Sequence, residues 1–470
     1  MSKHLVICGN GASAAALLVA LAKRRLPLRV TVIGNGPLWR GVAYSTTSPH
    51  HLLNVPSGNM SIDSENQDHF QRWLAARDAG GENLFVQRGL YGAYLEDSVQ
   101  RTLRAAPWLR VEHISAELLG LTRQPDRWHV FHGLGVLSAD AVVLATGIEC
   151  PAPLGARYGR TVAQHVIEDP WASWRVKSSA RILIVGTGLT AVDSVLTLTQ
   201  GGHSGPITMV SPRGLLPLAH VPVYPQAVEG PTPMPLSRRL GNLRARAGQA
   251  RHWQDSFDSL RPHWQRLWED LSDAERRRFL RHGVSHFNIH RHRMAPHAAD
   301  AIASAINRNL SVQRGRIVAM MPRQGSLDVT IRHGGRDRVL AFDHVINCTG
   351  PNSNFSLSGQ TFIQTLIGAG VARPDPVGLG IEVDAHDRVH GREGEVQHSL
   401  FAMGALCRGR RWEITAMPEI RQQAAQMAHS LSAICALESE ASVAHTFSAS
   451  HFSRLFARED HEHFHPTTGA

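Results

Sequence analysis

The chain has 470 residues, 43% of them hydrophobic, which is enough for two or three domains with cores of their own. Its formal net charge of +10 is spread, and the densest arginine run, 238–293, is interleaved with Asp255, Asp258, Glu269, Asp270 and Glu275, so a solvated helical surface is expected and nucleic acid is not an expected partner. No apolar run is long enough to span a bilayer, and the five scattered cysteines Cys8, Cys150, Cys348, Cys407 and Cys435 form no Cys-x-x-Cys pair, which argues against a disulfide framework, a zinc site and a redox dithiol and fits a cytoplasmic protein.

The first predicted element is a buried strand, Leu5-Val6-Ile7, followed by the turn Gly9-Asn10-Gly11-Ala12-Ser13-Ala14 and an Ala/Leu-rich helix. The same grammar returns at Ile182-Leu183-Ile184-Val185, with the turn Gly186-Thr187-Gly188-Leu189-Thr190-Ala191. In each, the first glycine permits the sharp turn, the second lets the backbone approach a pyrophosphate, and the small third residue lets helix and strand pack closely. Two strands ending in Thr-Gly, at Thr146-Gly147 and Thr349-Gly350, each follow one of the turns and are expected to run back beside the nucleotides. The order predicts two dinucleotides, a held flavin and an exchanging nicotinamide. The fold class expected is α/β, a Rossmann-like flavoprotein with two dinucleotide-binding domains.

After the second strand, Val30 to Ile33, the usual ribose carboxylate is replaced by Gly34-Asn35, so Asn35 is the ribose candidate and other contacts are needed from 41–45, including Tyr44, and from 51–56. At the second site the strand 207–210 ends in Ser211-Pro212-Arg213. A hydroxyl and a guanidinium with no acid suit a 2′-phosphate, so NADPH is expected over NADH.

The expected domains are 1–175 for the first nucleotide, 176–343 for the second, and 344–470 as the completion of the first with a polar tail from 458. A helical excursion is expected at 235–305, with a capping box at Ser272 and Glu275 starting a helix that ends near Gly283. Trp253, Trp264 and Trp268 are expected to pack between helices. His290-Arg291-His292-Arg293 reads as an extended segment with both histidines on one face. Arg291 and His292 are candidates for anchoring and proton transfer, with no third ligand spaced for a metal. His51 is a further candidate base.

Longer strings then add up: 41–46, 51–56 with Met60-Ser61, Leu90-Tyr91-Gly92 with Tyr94-Leu95, 186–193, 290–296, 372–376 and 412–421. Together they resemble the FAD/NAD(P)-binding family that includes the FAD-dependent urate hydroxylase and the aspartate N-monooxygenase. The resemblance implies that Gly9, Gly11, Ser13 and Ala14 hold the FAD pyrophosphate, that Asn54, Val55 and Met60 lie by the flavin, and that Thr146 and Gly147 close that site. It places the nicotinamide dinucleotide on Gly186, Gly188, Leu189 and Thr190 with Ser211 and Arg213. Met403-Gly404-Ala405 lacks the acid that many such flavoproteins use for the ribityl chain, and Glu413 is the nearest conspicuous carboxylate.

The activity so implied is a monooxygenase in which NAD(P)H reduces FAD and O2 forms a flavin hydroperoxide that oxygenates a small, electron-rich, anionic substrate. Urate is the first choice. An alternative is N-hydroxylation of an amino acid such as aspartate, with an arginine clamping its carboxylate, and another is a flavoprotein that oxygenates nothing. Nothing in the sequence fixes an oligomeric state.

Overall fold

The computed structural model describes residues 2–81, 84–147, 151–223, 228, 230, 234–350 and 361–433; Cys150, Cys435 and the tail from 458 lie outside them. Parallel strands buried on both faces read as unbroken apolar runs, which is why the nucleotide strands were visible in the sequence. The first domain opens with β1 (Lys3–Cys8), β2 (Leu28–Ile33) and β3 (Leu109–Ile114), then an antiparallel trio β4 (Leu118–Arg123), β5 (Trp128–His132) and β6 (Gly135–Ala139), then β7 (Ala141–Leu144). The second has β8 (Val166–Ile167), β9 (Ile182–Val185), β10 (Ile207–Ser211) and β11 (Leu310–Arg314), a second trio β12 (Arg316–Arg323), β13 (Ser326–His333) and β14 (Arg336–Phe342), then β15 (His344–Asn347). The chain then returns with β16 (Arg388–His390) and β17 (Val396–Ala402).

The two large sheets run β16-β17-β7-β1-β2-β3 and β11-β10-β9-β15-β8. Strand for strand, β7-β1-β2-β3 corresponds to β15-β9-β10-β11, and each domain inserts its antiparallel trio just before the strand that comes back to the centre. The domains are therefore topological copies, a repeat that extends well past the two glycine turns.

β17 hydrogen-bonds to β7, so the C-terminal segment does complete the first sheet. β15, however, pairs with β9 inside the second sheet, and β8 pairs with β15. The expected boundaries at 175/176 and 343/344 therefore each cut off one strand of the second domain. The second domain gathers both because its returning strand must lie beside the strand that bears its own turn.

The excursion is helical: Leu236–Gln249, Trp253–Asp258, Trp264–Glu269, Asp273–His282 and Val284–Arg291. The Ser272–Glu275 capping box forms as read, and Gly283 is the C-cap. The next helix, Pro296–Ile306, shares a core with the Leu189–Gln200 helix through Ala298, Ile302 and Ala305, so it is the crossover between β10 and β11 and belongs to the domain proper. The tryptophans pack as expected, Trp253 edge-on to His290 at 4.6 Å and Trp268 stacked on Trp412 at 4.6 Å. His290 and Arg291 lie on a helix and His292 is its C-cap. At roughly 100° per residue the two histidine rings diverge instead of sharing a face.

Candidate active site

Both glycine turns are built to receive a diphosphate. Gly9 and Gly186 hold φ of +119° and +124°, and a β-carbon on either would strike a backbone carbonyl, of Ala145 or Cys348 respectively. Only glycine meets both conditions. Gly11 and Gly188 are the N-caps of the helices Ala12–Ala22 and Leu189–Gln200; neither helix has a side-chain cap or an acid in its first turn. The N–H groups of both first turns are thus free for an anion, and no carboxylate opposes it. A β-carbon on Gly188 would meet nothing within 4 Å, whereas one on Gly11 would lie 3.3 Å from the Gly41 Cα. The residues present fit a dinucleotide at each turn.

The middle residue of each turn went unread in the sequence. Asn10 donates to the carbonyls of Gly34 and Gly36 at 3.2 and 3.1 Å, and the Thr187 hydroxyl donates to the Leu215 carbonyl at 2.6 Å and lies 2.9 Å from the Ser211 hydroxyl. Each ties its turn to the loop after the second strand. Ala14 is fully buried against the sheet as its packing role requires, Leu189 and Thr190 form the first turn of the second helix, and Gly404 lies beside the Ser13 hydroxyl.

Other expected contacts are placed as follows. Asn35 is exposed at the end of β2, and Tyr44 is half-buried, edge-on to Tyr91 at 4.7 Å, its phenol pushed up to about 12 by burial. Val55 packs on the first core, and Met60, 2% exposed, is part of that core. The Met60 side chain is thus enclosed by the first domain's own core, which leaves its backbone for the flavin contact expected of it. The Thr146 hydroxyl is buried without a partner, beside Gly147. Thr349 turns its hydroxyl back onto the Asn347 side chain at 2.8 Å, next to Gly350. The Ser211 hydroxyl lies against that of Thr187 and accepts from the Gly214 N–H, while Arg213 reaches the excursion, donating to His286 at 3.2 Å and to the carbonyls of Arg281 and His282.

The domains meet through the 46–55 segment. His51 is 3% exposed, and its ring nitrogens lie 2.7 and 2.9 Å from the hydroxyls of Thr46 and Thr197. Burial lowers its pKa, and with both nitrogens at hydroxyls it tethers the 46–55 segment to the helix behind the second turn. Asn54 offers its backbone carbonyl to His220 Nε2 at 2.9 Å; burial pushes the His220 pKa down to about 4, so the neutral ring donates. Nearby, Arg88 donates to Asp193 at 2.6 Å and to the Leu52 carbonyl at 3.0 Å, and the Trp171 indole donates to the same carboxylate at 3.3 Å.

Where the excursion meets the C-terminal segment, Arg291 donates to Glu413 at 2.5 Å, each side chain about 10% exposed. Glu413, the carboxylate expected near the ribityl chain, thus pairs with Arg291 through Oε2. Arg291 Nη2 is buried with no partner. Arg408, over the Trp412 ring at 4.9 Å, makes no side-chain hydrogen bond among the described residues, and burial lowers its pKa against the pull of Glu413. His292 beside them is driven down to about 3 by burial and by the charges of Arg291 and Arg408. Glu413 pairs with Arg291 alone, so the cluster keeps cationic hydrogen-bonding capacity unused among the described residues, with Arg408 and His292 half-buried. Arg408 was missed in the sequence because a short basic run, Arg408-Gly409-Arg410-Arg411, reads as solvated surface and does not single out one member.

No curated protein sequence matches the chain. Residues 6–149 match the model of a family described as FAD-NAD(P)-binding. Among solved structures, the ornithine N-hydroxylase of Kutzneria sp. 744, with reduced FAD, NADP+ and L-ornithine, superposes with a TM-score of 0.64 at 14% identity, over 92% of this chain and 99% of that one. The L-lysine 6-monooxygenase of Pseudomonas syringae gives 0.59 at 17% identity over 92% and 99%, and the bacillithiol disulfide reductase of Bacillus cereus 0.52 at 13% over the same shares. With the FAD-NAD(P)-binding match confined to residues 6–149, the solved structures show that the chain carries the α/β fold of flavoproteins with two dinucleotide-binding domains.

Proposed function

We propose that this protein is an FAD-dependent, NADPH-driven monooxygenase that hydroxylates the amino nitrogen of a small amino acid bearing an acidic side chain. The observation that carries the reading is the buried, unpartnered Nη2 of Arg291 close to Arg408, which makes no side-chain hydrogen bond among the described residues, a basic cluster that can take one carboxylate. The whole-chain likeness to hydroxylases of ornithine and lysine supports an amine as the oxidised group. No observation favours urate, whose planar ring has no carboxylate for the two arginines to share.

When bound, FAD reduced by the nicotinamide supplies oxygen activation; the protein supplies position and charge. Asn10 and Thr187 hold the two turns in shape. His220 keeps the Asn54 carbonyl in place while staying neutral near pH 7. Arg408, Arg291 Nη2 and His292 would take the substrate carboxylate, charge-assisted contacts of the strong kind. Glu413 holds Arg291 in orientation and keeps the cluster from carrying two uncompensated charges before substrate arrives.

The test is oxygen uptake by the FAD-loaded protein with NADPH, with and without aspartate, glutamate, ornithine, lysine or urate, with assay of hydroxylamine product. Uptake stimulated by an acidic amino acid with stoichiometric hydroxylamine supports the reading. Stimulation by urate or a basic amino acid alone, or peroxide release with every candidate, overturns it.

A further inference from the structure

Three connections join the two domains at the 46–55 segment: His51 to Thr197, His220 to Asn54, and Arg88 to Asp193. The third differs in kind, because it is a buried ion pair between the two helical systems that underlie the turns. Arg88 is the first residue of the Arg88–Ala105 helix, whose side chains Tyr91, Leu95 and Val99 share a core with Ala15, Leu18 and Ala22 of the helix behind the first turn. Asp193 lies one turn into the helix behind the second turn. Their side chains are 11% and 6% exposed, the contact is 2.6 Å, and both groups are further held, Arg88 by the Leu52 carbonyl and Asp193 by the Trp171 indole.

We propose that Arg88 and Asp193 are a positioning pair for flavin reduction: the ion pair is a strut that sets the separation of the two dinucleotide-bearing helices and so the approach of nicotinamide to flavin. The inference rests on the function proposed above. In that step NADPH gives up a hydride and becomes NADP+, and FAD with one solvent proton becomes the two-electron-reduced flavin. Neither residue touches the reacting atoms. Each acts through the helix it belongs to, and the rate of such a transfer is steep in distance, a misplacement of about 1 Å costing about 100-fold.

The geometry also explains why the pair is ionic. An apolar contact would tolerate sliding of one helix past the other, whereas a hydrogen-bonded charge pair with a third ligand at each end fixes direction as well as distance. Asp193→Asn keeps the shape and removes the charge, and Arg88→Lys keeps the charge and loses the second contact to Leu52.

The experiment is anaerobic stopped-flow reduction of FAD-loaded protein by saturating NADPH, with NADP+ affinity measured separately by titration of the flavin spectrum, and reduction by dithionite as a control. Expected is a fall of about 10-fold or more in the limiting rate for Asp193→Asn and an intermediate fall for Arg88→Lys. FAD content, NADP+ affinity and dithionite reduction should stay within about threefold of wild type, a split that general destabilisation would not produce. If Asp193→Asn does not accumulate folded, Arg88→Lys carries the test with the same readouts. An unchanged limiting rate in a folded variant, or a loss that tracks FAD content or NADP+ affinity, overturns the strut. A wild-type protein that holds FAD and is not reduced by NADPH overturns the functional reading and the strut with it.

Discussion

Gly9 and Gly186 meet the same obstacle in their two domains: a β-carbon on either would strike the carbonyl just beyond the returning strand, that of Ala145 after β7 or of Cys348 after β15. Each position is also left-handed, so alanine there adds strain to collision, on the order of 1–3 kcal/mol for the backbone alone. Gly9→Ala is expected to purify with less than about a tenth of the wild-type flavin, read from the visible spectrum. Gly186→Ala should keep its flavin and lose NADP+ binding, seen as failure of NADP+ to perturb that spectrum. Equal loss of both ligands in both variants would contradict the assignment of one nucleotide to each turn.

Arg408 is the test of the acidic substrate. Arg408→Met keeps the length of the chain over Trp412 and removes the charge. Losing a charge-assisted bond of about 1.5–3 kcal/mol should raise KM for the amino acid by roughly 10- to 100-fold. Turnover of NADPH without substrate is the comparison, and a KM unmoved by the substitution would detach the cluster from the substrate.

His292 predicts an acid weakness of known sign. Its ordinary pKa of 6.5 falls to about 3 in the fold, so between those values the unfolded chain binds a proton that the native one refuses. Stability therefore drops as pH falls through that window, by at most about 1.4 kcal/mol per unit for this group. Other buried histidines share the trend, so the informative quantity is the difference between wild type and His292→Gln in urea midpoint from pH 7 to pH 5. The variant should lose less, and parallel losses would refute it.

Arg213 is the expected reader of the 2′-phosphate on the nicotinamide dinucleotide's ribose. Its fork is oriented by the carbonyls of Arg281 and His282 and by His286, beside the end of β10. Arg213→Ala should cut the preference for NADPH over NADH by about 10- to 100-fold in Kd, measured by spectral titration with the oxidised nucleotides. A preference that survives would assign the 2′-phosphate elsewhere.

The nucleotide turns were legible because glycine spacing, a preceding apolar strand and a following small-residue helix are all local. Even the Ser272 cap could be read this way. The repeat beyond the turns was not, since β4–β6 and β12–β14 are copies in topology without shared residues. The tether made by His51 was hidden for a related reason. Its sequence neighbourhood lies by the flavin in the resembling family, but its partner Thr197 is 146 residues away, and only the packed domains show both nitrogens occupied. Arg88 and Asp193 escaped notice likewise, because a buried ion pair between domains leaves no periodic trace.

Trp268 lies flat on Trp412 and donates its indole proton to the Gly409 carbonyl, with Phe279 and Phe287 gathered around the same ring. The excursion of one domain is thereby buttoned onto a segment that completes the other. Although the halves look like duplicates, they are not interchangeable modules: a fragment cut at 151 and 350 would bare a wide aromatic face and self-associate.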